Sequence, residues 1–199
     1  MPPTQRRQPK QARSRELVDR ILVAAGELFA GRGYPFVTTN HIAEHAGVSV
    51  GSLYQFFADK EEILAALQDA WTARLGAELD LRLRVDADTD LAETVEAVLD
   101  LHAELNRQPP GLLGFLLIST FGKQDSNGVV AAIHERLLDL LASRAPHVSP
   151  HRRHVIASML VHITNGLYSV GLTAGATDPA VRGEVRAALL GYLNQVLAE

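Results

Sequence analysis

The chain has no cysteine among its 199 residues. Disulfides, thiolate zinc sites, cysteine-ligated iron–sulfur clusters and cysteine nucleophiles are therefore excluded, and a cytoplasmic setting fits. Sustained alternation of apolar and polar residues is also missing, so no strand is expected and no Gly-rich phosphate loop can follow one. Charge is modest. Asp, Glu, Lys and Arg make up 21% of residues against 47% hydrophobic, which places the chain among globular proteins of one large or two small domains. The basic N-terminus MPPTQRRQPKQARSRE lacks the apolar stretch of a secretory signal. No pattern calls for a cofactor.

The charge that is present lies unevenly. Residues 1–60 hold eight Lys/Arg against five Asp/Glu, while residues 61–199 hold eleven against eighteen, for −4 overall. This asymmetry suggests an anion-binding N-terminal part joined to an acidic remainder with another task. No acid occurs in the first fifteen residues, where Arg6, Arg7, Lys10, Arg13 and Arg15 are clustered. Residues 1–13 are expected to form a disordered basic arm, either simply solvated or lying along phosphates or a minor groove.

Apolar residues recur three and four apart almost throughout, which predicts an all-α fold of about nine helices. Ser14 is the expected cap of a first helix whose stripe is Leu17, Ile21, Leu22, Ala25, Leu28 and Phe29, with Gly31 and Gly33 ending it. Pro35 predicts an extended connection. Thr38 then caps the short helix TNHIAEHA, which runs to Gly47, and Ser49 caps the next. Asp59 opens a longer helix to about Arg84, with Glu61 and Glu62 at its positive dipole end. The turn-prone DADTD at 86–90 breaks it. Further helices are expected at 91–106, 112–121, 129–143, 152–173 and 179–197, with Pro109 and Pro110 as a firm boundary. Residues 154–177 contain no charged side chain and are long enough to span a bilayer. They also hold His162, Thr164, Asn165 and Ser169 and have no aromatic belt, so a buried helix at a subunit interface is the expectation and no membrane partner is called.

The most informative stretch is TTNHIAEHAGVSVGSLYQFFADKEEIL at 38–64. Two short helices meet at a glycine turn. Ile42, Ala43, Ala46, Val48, Leu53 and Phe57 are spaced to face one another, and Gly47 supplies the left-handed backbone of a tight turn. That leaves Ser49, Val50, Gly51, Ser52, Tyr54 and Gln55 on or near the outward face of the second helix, where such motifs meet base edges. Thr39, Tyr54 and Lys60 are of types that bind phosphate oxygens. The same spacing also suits a plain helical hairpin in a core.

The run Gly33-Tyr34, Thr38-Thr39, Ile42-Ala43, Ala46-Gly47-Val48-Ser49, Gly51-Ser52-Leu53-Tyr54, Phe56-Phe57 and Lys60-Glu61-Glu62-Ile63 resembles the DNA-binding domain of the TetR/AcrR family of bacterial regulators. Ala24-Ala25 and Glu27-Leu28-Phe29 are similar to that family's first helix. The resemblance is specific over residues 17–64; beyond them only size and helical layout match. It implies a helix-turn-helix domain at 14–60 and a ligand-binding and dimerisation domain at 61–199. Carried over by position, Thr39, Ser49, Tyr54 and Lys60 fall where phosphates are touched, and Asn40, Val50, Gly51, Ser52 and Gln55 fall near the bases. Asn40 is able to pair with adenine and Val50 to pack on a thymine methyl. Phe56 departs from the pattern, because His or Tyr is usual there and Phe has no donor for a phosphate. By analogy the chain is a repressor that binds a palindromic operator as a homodimer and is released by a small, largely apolar effector.

The strongest enzymatic reading is His41, Glu44 and His45, an H-x-x-E-H pattern that can hold zinc on a helix. Its helix is only two turns long and offers no third ligand, so no metal and no catalysis are called. His151 and His154 stand three apart, but Arg152 and Arg153 between them repel a cation. In the C-terminal part, Val181, Val185, Ala188, Leu189, Tyr192 and Val196 make one stripe and Met159, Ile163, Gly166 and Val170 another. A homodimer through Met159, Ile163, Val170, Val185, Leu189 and Tyr192 is expected, although the same stripes are able to fill a monomer core. Trp71, His102, Phe115, Phe121, His162 and Asn165 are the candidate effector contacts, each equally suited to a packed interior. A purely structural dimerisation module remains the third alternative.

Overall fold

The computed structural model describes residues 7–82, 90–105, 107, 109, 112, 115–116, 128–174 and 178–197, with backbone alone at 7–11, 82, 129 and 165–174. Every regular element in them is helical. The chain divides into two compact units, Met1–Gln68 and Asp69–Glu199.

The first unit is built on α1 (Arg7–Arg32), a 3₁₀ turn (Tyr34–Phe36), α2 (Thr39–Ala46), α3 (Val50–Tyr54) and the start of α4 (Lys60–Arg82). Helix α1 starts seven residues before the expected cap at Ser14, so most of the expected basic arm is helical. The reason lies in composition. Gln, Lys, Ala and Arg are strong helix formers, and Pro9 occupies the first turn, where its missing N–H removes no intrahelical bond. Residues 1–6 lie outside the described residues. At the other end Gly33 takes φ +83° and its N–H donates to the Phe29 carbonyl at 3.1 Å, closing the helix as expected. Pro35 does not produce an extended link; it sits in the 3₁₀ turn, with only Val37 extended before the Thr38 cap. Proline's fixed φ is compatible with both, and here the turn prevails.

Thr38 caps α2 as the sequence indicates. Its hydroxyl accepts the His41 N–H at 3.2 Å while the His41 Nδ1 accepts the Thr38 N–H at 3.3 Å. This is a reciprocal capping box with histidine in the place usually held by Glu or Gln. Gly47 follows with φ +64°, and Ser49 caps α3 by accepting the Ser52 N–H at 3.0 Å. Of the sequence-based core of the motif, Ile42, Ala43, Ala46, Leu53 and Phe57 are buried and join Ile21, Ala25, Leu28 and Phe29 of α1, while Val48 is half-buried. Ile63 and Leu67, on the first two turns of α4, complete this core. For that reason the first unit extends to Gln68 rather than stopping at residue 60. Each large apolar side chain so buried contributes roughly 1.5–3 kcal/mol.

The second unit holds the rest of α4, α5 (Leu91–Leu105), α6 (Val129–Arg144), α7 (Pro150–Ala174) and α8 (Pro179–Leu197). Helix α8 packs against α7 and α5, and α6 packs against α7. The expected end of α4 near Arg84, most of the DADTD break, Pro110 and most of the expected 112–121 helix lie outside the described residues. Among the described residues no helix is long and apolar enough to cross a membrane. Two ion-pair sets tie the helices together. Arg136 of α6 forks onto Asp80 of α4 at 2.7 and 3.0 Å, and Arg182 of α8 reaches Glu96 at 2.6 Å and Asp100 at 2.8 Å on α5, with Arg186 also on Glu96. These hydrogen bonds hold the Asp80 and Glu96 carboxyls below the usual carboxylate range.

Gly47 is one of two glycines with positive φ among the described residues. A Cβ there would strain a left-handed residue and would meet the Arg20 Nη2 at 3.1 Å. Gly47→Ala is expected to lower unfolding stability by about 1–2 kcal/mol in urea titration; a variant as stable as the parent would show that the turn relaxes freely.

Candidate nucleic-acid interface and effector cavity

Helix α3 is only five residues long, so its orientation is imposed from outside. Two contacts from α1 set it by pinning α2. Arg20 reaches across to the C-terminal turn of α2 and donates Nη2 to the carbonyls of Ala46 and Gly47, where a helix end favours a cation. Glu27 meets the His45 Nε2 at 2.6 Å. Both histidines of the H-x-x-E-H pattern are thus engaged, His41 in the cap and His45 on α1. No cluster of three metal-ligating side chains occurs among the described residues. Arg20 is a residue that sequence reading missed; a lone Arg on a polar helix face gives no local signal.

With α2 fixed, the outward surface follows. Asn40, Ser49, Val50, Gly51, Tyr54 and Gln55 are exposed, and Thr39 and Ser52 are half-buried. The Thr39 hydroxyl and the Tyr54 phenol lie 3.0 Å apart, and the Ser49 and Ser52 hydroxyls 2.7 Å apart. Two small hydroxyl pairs therefore flank the exposed Val50–Gly51 start of α3. Lys60 differs from the rest. Its ammonium donates to the carbonyls of Tyr34 and Val37 at 2.9 Å each and sits 4.0 Å above the Tyr34 ring. Two of its three donors are spent on fastening the 3₁₀ turn to α4. Tyr34 completes this knot by donating its hydroxyl to Glu61 at 3.0 Å, and burial together with that carboxylate pushes its pKa up to about 12. Phe56 is half-buried.

In the second unit a cavity of about 70 Å³ is walled by α4, α5, α6, α7 and α8. Its lining is aliphatic except for Thr94, Thr164 and His102. Of the four candidate effector contacts whose side chains are described, the structure brings His102 alone to this wall. Trp71 is buried elsewhere, under Arg74, whose guanidinium lies 5.1 Å from its ring. His162 faces outward and its Nδ1 contacts the Ser158 carbonyl at 2.6 Å; Phe115 is half-buried away from the lining. Phe121 and the Asn165 side chain lie outside the described residues. Among the expected dimer contacts, Met159 is exposed, Ile163, Val185 and Tyr192 are half-buried, and the Val170 side chain lies outside the described residues. Leu189 is buried and lines the cavity, so it belongs to the core of its own chain. Of the α8 stripe, Leu189 and Val196 are buried, Val181, Val185 and Tyr192 half-buried and Ala188 exposed, with α7 and α5 packed on this helix.

His102 is buried, its Nδ1 lies 2.9 Å from the Val98 carbonyl, and desolvation lowers its pKa from the ordinary 6.5. A depressed histidine adds stability that is complete above the unfolded value and is lost as pH falls below it. The stability of the parent is therefore expected to fall from pH 7 to pH 5 more steeply than that of His102→Leu, as read from melting temperatures. Parallel curves would assign the acid sensitivity to other groups.

With this geometry in hand, comparison with known proteins is informative. Residues 21–67 match the model described as bacterial regulatory proteins, tetR family, and residues 90–193 match the tetracyclin repressor-like C-terminal domain. The transcriptional activator FasR of Mycolicibacterium smegmatis is 32% identical over 153 residues, spanning 72% of this chain and 67% of that protein. A TetR-family regulator from Streptomyces coelicolor superposes with a TM-score of 0.67 at 25% identity over 90% of this chain and 99% of that one. The fatty acid degradation regulator FadR of Bacillus halodurans shares the fold, with a TM-score of 0.70 at 19% identity over 88% and 95% of the two chains. The two matched segments fall one in each unit, and the chain belongs to the TetR family of bacterial regulatory proteins: it is a ligand-responsive, DNA-binding regulator.

Proposed function

We propose that this chain acts as a homodimer that grips a palindromic operator through α3 and its flanks, represses from it, and is released by a small, largely apolar effector. The observation that carries the reading is the exposed Val50–Gly51 start of α3 between the Thr39–Tyr54 and Ser49–Ser52 hydroxyl pairs. Hydroxyls at that position suit phosphate oxygens, and Asn40, Val50, Ser52 and Gln55 suit base edges. Lys60, held by two carbonyls, has one donor left for a phosphate and serves mainly to position the backbone around it. The fold makes no demand for a glycine at 51, since a Cβ there would meet only the Ser49 Oγ at 4.0 Å. Close approach of DNA explains the missing side chain.

Pairing is supported by Val155 and Met159, which lie one turn apart on α7 and are 48% and 42% exposed. Together with Ile163, Val185 and Tyr192 they offer an apolar face that a second copy would cover. A two-fold dimer places its recognition helices about 34 Å apart or more and demands a palindrome. FasR is an activator by name; activation and repression use the same grip and differ in where the operator lies.

At about 70 Å³ the cavity is well below the roughly 300 Å³ at which drug-sized sites begin. An effector therefore enters by moving helices apart, and α4 both walls the cavity through Leu75 and Leu79 and begins beside the DNA-reading motif at Lys60. Differential affinity for the two positions of α4 is what couples ligand to DNA. The regulator FadR supports an apolar effector by the fatty acid degradation in its name.

Selection from random DNA is expected to return a palindrome, with affinity falling steeply as salt rises. Gly51→Leu is expected to leave folding intact while weakening operator binding about tenfold or more, the cost of one disrupted base-pair contact. Recovery of no preferred sequence, or full affinity in Gly51→Leu, would sink this interface.

A further inference from the structure

Among the large apolar side chains exposed in the first unit, Val50 and Tyr54 belong to the reading face of α3, and Val23 lies on α1 in a groove beside Arg20 and His45. Phe36 belongs to neither. At 75% it is the most exposed large apolar side chain among the described residues, and packing of the fold does not account for it.

The backbone that carries Phe36 is fixed. Its N–H donates to the Gly33 carbonyl at 3.1 Å, and Lys60 grips the carbonyls of Tyr34 and Val37, on either side of it, at 2.9 Å each. Val37 and Ile42 are both buried and occupy the two positions of a hydrophobic staple around the Thr38 cap. With Val37 extended and turned inward, its predecessor is turned outward. One edge of the Phe36 ring also leans on Gly33, where an added Cβ would meet Cδ2 at 3.6 Å. The exposure is therefore built into the turn.

The surroundings of the ring indicate what covers it. Between Arg32 and Asn40 the only other exposed apolar residue is Pro35. Two side chains fall well short of the roughly 800 Å² per partner that a stable protein pair buries. The polar groups on either side are instead those of the DNA-reading face. Lys60, bonded to both ends of the turn, keeps one donor. Thr39 is three residues on, within about 11 Å along the chain, and its hydroxyl meets the Tyr54 phenol at 3.0 Å. Both suit phosphates. On a nucleic-acid strand the unit between successive phosphates is a deoxyribose, which presents an uncharged C–H edge.

Resting on the operator reading above, we propose that Phe36 packs on a deoxyribose of the operator backbone, between a phosphate held by the Lys60 ammonium and one held by the Thr39–Tyr54 hydroxyls. The ring adds affinity without reading sequence, since a sugar is the same at every base pair. Being uncharged, it releases no counterion.

The test titrates the full-length protein against its selected palindrome by fluorescence anisotropy over a range of salt. Phe36→Ala is expected to weaken binding by about fivefold to tenfold, equally for the palindrome and for its single-base-pair variants, with the slope of log affinity against log salt unchanged. Phe36→Lys, which sets an ammonium against the same strand, should steepen that slope by about one; melting temperatures confirm that both variants fold. Parental affinity in Phe36→Ala overturns the contact, and so does a parental slope in Phe36→Lys, which would put position 36 away from the backbone. A loss that differs among the base-pair variants overturns it as well, because the ring would then be reading bases. A changed oligomeric state in ultracentrifugation, with DNA affinity per dimer unchanged, assigns the ring to a second copy of the chain instead. If the parent selects a palindrome and both variants bind it as the parent does, this inference falls and the operator reading stands. If the parent selects no sequence, the operator reading itself falls.

Discussion

Arg20 bridging from α1 to the carbonyls of Ala46 and Gly47 is the interaction on which the DNA-reading motif depends. A helix as short as α3 has no stable direction of its own, because helix nucleation is costly and five residues give almost no return of internal hydrogen bonds. Its direction is inherited from the left-handed turn at Gly47, and that turn is held by a side chain twenty-six and twenty-seven residues away in sequence. The Glu27–His45 pair fastens the same two helices two turns further along α1. Exposed hydroxyls and a bare glycine can then be presented at a defined angle without any of them being spent on folding, apart from the Ser49 cap.

The Lys60–Tyr34–Glu61 knot performs a related task where α4 begins. Lys60 ties its ammonium to the 3₁₀ turn and Tyr34 returns a hydrogen bond to the first turn of α4. Ile63 and Leu67 then bury α4 in the first unit, and Leu75 and Leu79 place the same helix on the wall of the cavity in the second. Within the second unit the Arg136–Asp80 fork, with Arg136 also lying over Gly76, fastens the C-terminal half of α4 to α6.

Much of the first unit was legible because its signals are local. Thr38, Gly47, Ser49 and Asp59 each act within four residues of themselves, so cap and turn chemistry could be read directly and the helices fall where it indicates. The start of α1 was misplaced because Ser14 is also a good cap, and nothing in the sequence says that the helix-forming stretch before it will be used. Lys60 looked like a phosphate ligand because its type suits one; only the nearness of the Tyr34 and Val37 carbonyls shows where its donors go.

The second unit was less legible because periodicity marks an apolar stripe but not its partner. Leu189 lies on a stripe that suits a subunit interface equally well, and the packing of α7 and α5 on α8 turns it into the chain's own core. His102 and His162 were indistinguishable as candidates until one was found on the cavity wall and the other facing outward. The sequence by itself determined the helical class, the caps and turn of the reading motif, and through them the family, since these depend on neighbours within a turn or two of helix. Tertiary structure alone decided which polar side chains are consumed in holding the fold, which face of each helix is interior, and which residues wall the apolar cavity, because those depend on residues brought together from distant parts of the chain.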